Sequence, residues 1–337
     1  MKLLEKIHSK NDNTIKYIFT TQDNLIIELS YINKDDGKDI ICVPTQTSCK
    51  MKCKFCHITD FTDKLINRNL TVQEIKEAVD NVYNDLNLSL NPKPLLISYM
   101  GCGEPLLNYK QVKDSMLSLR TEYQDIKVPL IRFAISISLP EFAWINFFEL
   151  TNEIHKEKLL VKMHLSLHYT IDSLRKDWMP NSLSILPSLV ALEYYKKITN
   201  NSVEIHYTLI DGVNDTEQDA ILLSEFLNNR DIPVKFLFYN EKPTIEFHAS
   251  SKEKLSLFKR YFDKYNIEYE YYIPPGLDVG ASCGQFLMDY YLKYNLLLNK
   301  NKINNLSYFE RRNYNYANTF RGIYRGRFYK RCRRNCT

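Results

Sequence analysis

The chain has 337 residues, of which 25% are charged and 44% hydrophobic, and a formal net charge of +5. That length allows one large catalytic domain plus an appendage. It holds no run of about 18 apolar residues and no apolar segment ahead of a small-residue cleavage site, which argues against a membrane span or signal peptide and sets the expectation of a cytoplasmic protein.

The charge is unevenly placed. From Lys300 to Thr337, eleven Lys and Arg stand against Glu310 alone, so the remainder of the chain is acidic. Eight cysteines, four of them between Cys42 and Cys56, favour metal and redox chemistry over a disulfide framework.

Residues 14–33 read as a β-hairpin. β-Branched and aromatic residues flank the polar turn Gln22-Asp-Asn24, and the hairpin gives residues 1–38 the character of a short N-terminal extension. A strand at 40–44 then enters Cys42-Val-Pro-Thr-Gln-Thr-Ser-Cys-Lys-Met-Lys-Cys-Lys-Phe-Cys56, in which Cys49, Cys53 and Cys56 are spaced C-x3-C-x2-C. Three thiolates on one loop suit one face of a [4Fe–4S] cubane and leave one iron open to a ligand. A structural zinc knuckle is the alternative, but it requires a second ligand pair, and none follows at a matching spacing.

Thr71-Val-Gln-Glu74 is a capping box that opens a helix to about Leu86. Apolar strands at 94–100, 131–139, 159–167, 203–210 and 234–239 are each followed by a helical pattern, at 109–123, 141–156, 184–198, 216–229 and 252–265. With the strand at 40–44 these make six βα units. The predicted fold class is therefore α/β, a partial (β/α)6 TIM-like barrel over 39–295, whose ligands gather where strands end. Three such ends carry polar residues: Gly103 and Glu104 in Ser98-Tyr-Met-Gly-Cys-Gly-Glu-Pro, then Ser166-Leu167-His168, and Asn240. Singly each is an ordinary loop or core residue, but at one barrel mouth they form a candidate ligand site.

A further strand, Glu268 to Ile273, leads to Pro274-Pro-Gly-Leu-Asp-Val-Gly-Ala-Ser-Cys-Gly-Gln285. Cys283 stands there among small residues, an unshielded position that favours a reactive thiol over a structural one. In the tail, 296–337, eight aromatic residues alternate with the eleven bases; this suits RNA binding, and a solvated terminus is the other reading. Cys332 and Cys336 receive no assignment.

These blocks resemble the RlmN/Cfr family of radical S-adenosylmethionine RNA methyltransferases. The resemblance spans about residues 14–290 and rests on Cys42 to Cys56, Asn69-Leu-Thr-Val-Gln-Glu-Ile, Met100-Gly-Cys-Gly-Glu-Pro-Leu-Leu-Asn, Leu165-Ser-Leu-His with Met179-Pro, Gly212-Val-Asn-Asp and Gly276-Leu-Asp-Val-Gly-Ala-Ser-Cys-Gly-Gln. It implies a [4Fe–4S] cluster on Cys49, Cys53 and Cys56, with S-adenosylmethionine on the open iron. Gly103 and Glu104 would receive its amino group, and Ser136, Ser166, Leu167, His168 and Asn240 match positions that bind the rest. It further implies a methyl group carried on Cys283, a proton accepted by Glu28, and a thioether resolved by Cys42 through a Cys42–Cys283 disulfide.

The implied product is adenosine methylated at C2, as in RlmN, with C8, as in Cfr, as second choice, in rRNA or tRNA. The implied enzyme is a monomer served by an electron donor such as flavodoxin or ferredoxin. Other readings are radical chemistry on another RNA or a peptide, and a non-catalytic iron–sulfur RNA-binding protein. The chain departs from the family pattern in three places: only about forty residues precede Cys42, Cys102 stands where a methionine is usual, and Pro275 where an arginine is usual.

Overall fold

The computed structural model describes residues 1–34, 37–241, 246–281 and 285. Ten strands form one sheet: Lys2–His8 (β1), Thr14–Thr20 (β2), Ile26–Lys34 (β3), Lys38–Cys42 (β4), Leu95–Tyr99 (β5), Ile131–Ile137 (β6), Val161–Ser166 (β7), Val203–Leu209 (β8), Val234–Phe238 (β9) and Tyr269–Tyr272 (β10). They lie side by side in sequence order. β1 to β4 pair antiparallel and β4 to β10 pair parallel. The helices between them are Val72–Asp85 (α1), Tyr109–Asp125 (α2), Ile145–Lys156 (α3), Asp172–Trp178 (α4), Ile185–Thr199 (α5), Glu217–Leu227 (α6) and Lys252–Lys264 (α7). The architecture is the expected mixed α/β, partial TIM-like barrel.

The sequence alternation decides which face each side chain takes. Along β7, Val161, Met163 and Leu165 join the hydrophobic core, so Lys162, His164 and Ser166 point to the opposite, concave face. The helices bury matching stripes, such as Phe147, Leu150 and Ile154 of α3, each contributing about 1.5–3 kcal/mol. The capping box Thr71/Glu74 forms as predicted, and Arg68 grips the same glutamate while also holding Asp23 in the β2–β3 turn.

Several elements lay outside the sequence reading. β1 lengthens the N-terminal hairpin into a three-strand ribbon, and β3 pairs directly with β4, so the expected extension 1–38 is continuous with the barrel sheet. A short 3-10 turn, Glu141–Ala143, precedes α3, and the seven-residue α4 is too short to show periodicity. The strand expected from Glu268 to Ile273 is β10, which completes the sheet beside β9. The described residues form one compact unit, and the tail lies outside them.

The concave face carries a charged cluster. Glu204 accepts from His164 (3.1 Å) and pairs with Lys162 (2.6 Å), Lys235 (2.8 Å) and His206 (3.4 Å), and the His164 Nδ1 and His206 Nε2 atoms lie 2.9 Å apart. Burial pushes the Glu204 carboxyl up, but hydrogen bonds from both histidines and the nearby Lys235 charge outweigh that and hold it well below the usual range. Burial keeps His164 and His206 uncharged, well below the ordinary value for His164 and below it for His206. The unfolded chain therefore takes up protons at these histidines that the folded chain refuses, and stability falls as pH drops below about 6.5. We expect an unfolding free energy that declines between pH 7 and pH 5, by up to about 1.4 kcal/mol per pH unit for each histidine, with a parallel fall in melting temperature and a shallower decline in His206→Asn.

Candidate active site

The loops after β4 and β5 are laced together. Val43 N donates to Ser98 O (2.8 Å), Thr45 N and Gln46 N to Cys102 O (2.8 and 3.2 Å), and Gly101 N to Val43 O (3.0 Å). This proximity forbids side chains at two positions. A Cβ on Gly101 would stand 2.7 Å from Pro44 N, and one on Gly103, whose φ is +109°, would stand 2.5 Å from Thr45 Oγ1. The cysteine loop is pinned in turn, with Thr62 Oγ1 donating to Cys49 O (3.1 Å), Thr59 Oγ1 to Cys53 O (2.7 Å) and Lys54 N to Trp178 O (2.8 Å). Among the described residues no cysteine is joined to another.

The three spaced thiols lie within electrostatic reach of one another. Burial pushes Cys49 up to about 12, with Cys56 and Glu104 adding to the rise while backbone amides of Met51 and Gly103 work against it. Cys53 is raised well above the ordinary thiol range by burial and by Cys49 and Cys56, and the Arg175 charge opposes that rise. Such thiols stay protonated unless a metal ionises them. Cys102, buried with Ile18, Ile26 and Ile58 against Cys49 and Cys56, is raised likewise by burial first. Closely set thiols with amide donors and a buried cation beside them fit a thiolate-held cluster, which carries net negative charge.

Glu104 faces this nest. Its Oε2 accepts from Ser138 N (2.9 Å) and Ser138 Oγ (2.6 Å), and its Oε1 from Leu106 N (3.2 Å). Burial raises its carboxyl to about 6 although these bonds favour the charged form. Ser136 and Ser166 end β6 and β7 with their hydroxyls 3.3 Å apart. Leu167 is fully buried and its amide donates to His206 O (3.1 Å). His168 holds a left-handed φ of 59°, its Nδ1 accepts from Thr208 N (2.9 Å), and burial keeps it uncharged. The tautomer is thereby set with Nε2 as the donor. Asn240, buried beyond β9, uses its carbonyl for His57 Nε2 (3.2 Å). These strand ends thus carry a carboxylate, two hydroxyls and an N–H donor.

A second group lies on β2 to β4. Glu28 is fully buried and pairs with fully buried Lys16 at 3.1 Å. Lys16 Nζ also donates to Gly280 O (3.4 Å), and Ser30 Oγ to Ala281 O (3.2 Å). Ser30 is the register partner of Cys42, so the chain two residues before Cys283 rests on the strand beside Cys42. Cys283 itself lies outside the described residues.

Arg175, Lys16 and Ser138 belong to these sites but escaped the sequence reading. A single Arg in a seven-residue helix and a lysine within a strand give no pattern, since their importance comes from burial alone.

No family model matches the chain. It is 33% identical over 291 residues to a "probable dual-specificity RNA methyltransferase RlmN" of Thermosipho melanesiensis, covering 84% of this chain and 79% of that protein. A protein of the same description from Clostridioides difficile is 31% identical over 287 residues, covering 85% and 79%. Among solved structures, a radical SAM methyltransferase from Sphaerobacter thermophilus superposes with a TM-score of 0.75 at 26% identity, over 85% of this chain and 81% of that one.

The raised Glu104 carboxyl yields a two-sided expectation. Glu104→Gln should weaken binding of an amine-bearing ligand about 10- to 100-fold, the worth of a hydrogen bond to a charged group. Its melting temperature at pH 8 should equal or exceed that of the parent, because the buried charge costs stability above pH 6. Calorimetric titration and thermal melts at pH 5.5 and 8 check both, and the parent's affinity should fall as pH drops through 6.

Proposed function

This chain belongs to the RlmN family of radical SAM RNA methyltransferases, and from that premise we propose that it methylates an adenine ring carbon, C2 ahead of C8, in rRNA or tRNA by way of a methyl group carried on Cys283. The observation that carries this reading is the Ser30 hydroxyl on the Ala281 carbonyl, which brings the chain leading to Cys283 alongside Cys42.

Cys49, Cys53 and Cys56 would hold a [4Fe–4S] cluster. When bound, the cluster and S-adenosylmethionine supply the carbon radical that an unactivated ring carbon requires. Glu104 and the Gly103 backbone receive the amino group of the cofactor, while Ser136, Ser166, Leu167, His168 and Asn240 orient the remainder. Close backbone approach at Gly103 and the neutral N–H donor on His168 support these roles. Glu28 takes the ring proton, and Lys16, 3.1 Å away, holds its carboxylate in place.

Cys42 then attacks the Cys283 sulfur. An S–S bond replaces the S–C bond, and the methylene leaves with the electron pair and takes a proton to become methyl. An external reductant opens the resulting disulfide. An electron donor of the flavodoxin or ferredoxin class, a monomeric enzyme and a cytoplasmic setting complete the proposal. The basic, aromatic tail 296–337 serves as an RNA-holding segment through phosphate contacts and base stacking.

Anaerobic reconstitution should give about four irons per chain. Mass spectrometry should find a methyl group on Cys283, and Cys42→Ala should accumulate covalently bound RNA; zinc without iron, or an unmodified Cys283 in the presence of ample S-adenosylmethionine, defeats the reading. Ending the chain at residue 299 should weaken RNA binding and flatten its dependence on salt, as measured by filter binding across a salt series. Nuclease digestion and mass analysis of RNA from cells with and without the protein identifies the nucleoside and its position.

A further inference from the structure

Arg175 is the most unusual charge in the described chain. Its side chain sits on α4 yet is 1% exposed, among the largest fully buried groups in the protein. Buried guanidinium groups normally face a carboxylate, because an uncompensated charge in a low-dielectric interior is costly. Among the described residues no carboxylate lies within ion-pairing distance of Arg175.

Its donors go instead to neutral acceptors. Nε donates to Leu183 O (2.8 Å), Nη1 to Ser166 O (3.0 Å), Leu167 O and Met179 Sδ (3.3 Å), and Nη2 to Ser138 O (3.2 Å). These bonds satisfy the N–H groups and fix the ends of β6 and β7, but none of them is an ion pair; Asp172, three residues earlier on α4, acts on the charge only through space. Cys53 packs against the apolar group that contains Met179, the residue whose sulfur Arg175 contacts, and Lys54 N is tied to Trp178 O at the end of α4. The guanidinium therefore lies next to the Cys53 corner of the thiol nest.

On the cluster reading proposed above, we infer that Arg175 is the fixed counter-charge of the thiolate-held cluster, a positioning residue that favours its assembly and raises its reduction potential. Three cysteine thiolates give the loaded site net negative charge, and one-electron reduction adds another. A cation held beside Cys53 stabilises the more negative state, and the potential of such clusters responds to nearby charge and burial. The neutral acceptors fit this role, since a carboxylate partner would cancel the charge.

Two variants separate charge from hydrogen bonding. Arg175→Lys keeps the charge and loses the fork, whereas Arg175→Gln keeps some hydrogen bonding and loses the charge. Redox titration of the reconstituted full-length protein, followed by electron paramagnetic resonance of the reduced cluster, reads the potential, and iron analysis with circular dichroism reads assembly and folding. We expect Arg175→Gln to lower the reduced-to-oxidised ratio at a fixed potential at least tenfold, about 59 mV for a one-electron couple, or to take up less iron while folded. Arg175→Lys should stay near the parent in both. An Arg175→Gln protein with both potential and iron uptake unchanged, or equal losses in both variants, overturns the inference. A parent protein that assembles no four-iron cluster defeats the cluster reading instead.

Discussion

A buried guanidinium satisfied by backbone carbonyls holds the mouth of this barrel in shape. Arg175 ties Ser138, Ser166, Leu167 and Leu183 to one rigid fork. These residues lie at or just beyond the ends of β6 and β7 and before α5, so segments far apart in sequence share one anchor. The position of His168 follows from it. Its left-handed backbone is tolerable because Arg175 secures the preceding carbonyl, while Asn214 grips the His168 carbonyl at 2.6 Å and Thr208 grips its ring.

The electrostatics divide along the same axis. Deeper on the concave face, Glu204 is compensated by lysines and neutral histidines, so charge is closely balanced. At the mouth, Cys49, Cys53 and Glu104 are protonated or near their titration point because burial disfavours their ions. The mouth thus sets acids reluctant to ionise beside a cation that forms no ion pair among the described residues.

The third region is the β2 to β4 ribbon. Lys16 and Glu28 form an interior ion pair that would cost free energy without a ligand-related or structural return. Lys16 and Ser30 both reach the carbonyls of residues 280 and 281, so this ribbon receives the segment that leads to Cys283. Antiparallel strands appended to a parallel barrel thus bring the first forty residues and the last described loop together.

Much was legible in the sequence. Period-two strands, the Thr71/Glu74 capping box and repeated βα units determine the fold locally, because each element needs only its own residues to show its periodicity. The C-x3-C-x2-C spacing and the strand-end positions of Glu104, Ser166 and His168 were readable because each lies in a short contiguous motif. Tertiary structure alone decided that Arg175 is buried without a carboxylate, that Lys16 faces Glu28, and that Ala281 rests beside the register partner of Cys42. Those facts depend on burial and on contacts between distant segments, and neither leaves a local pattern in the chain.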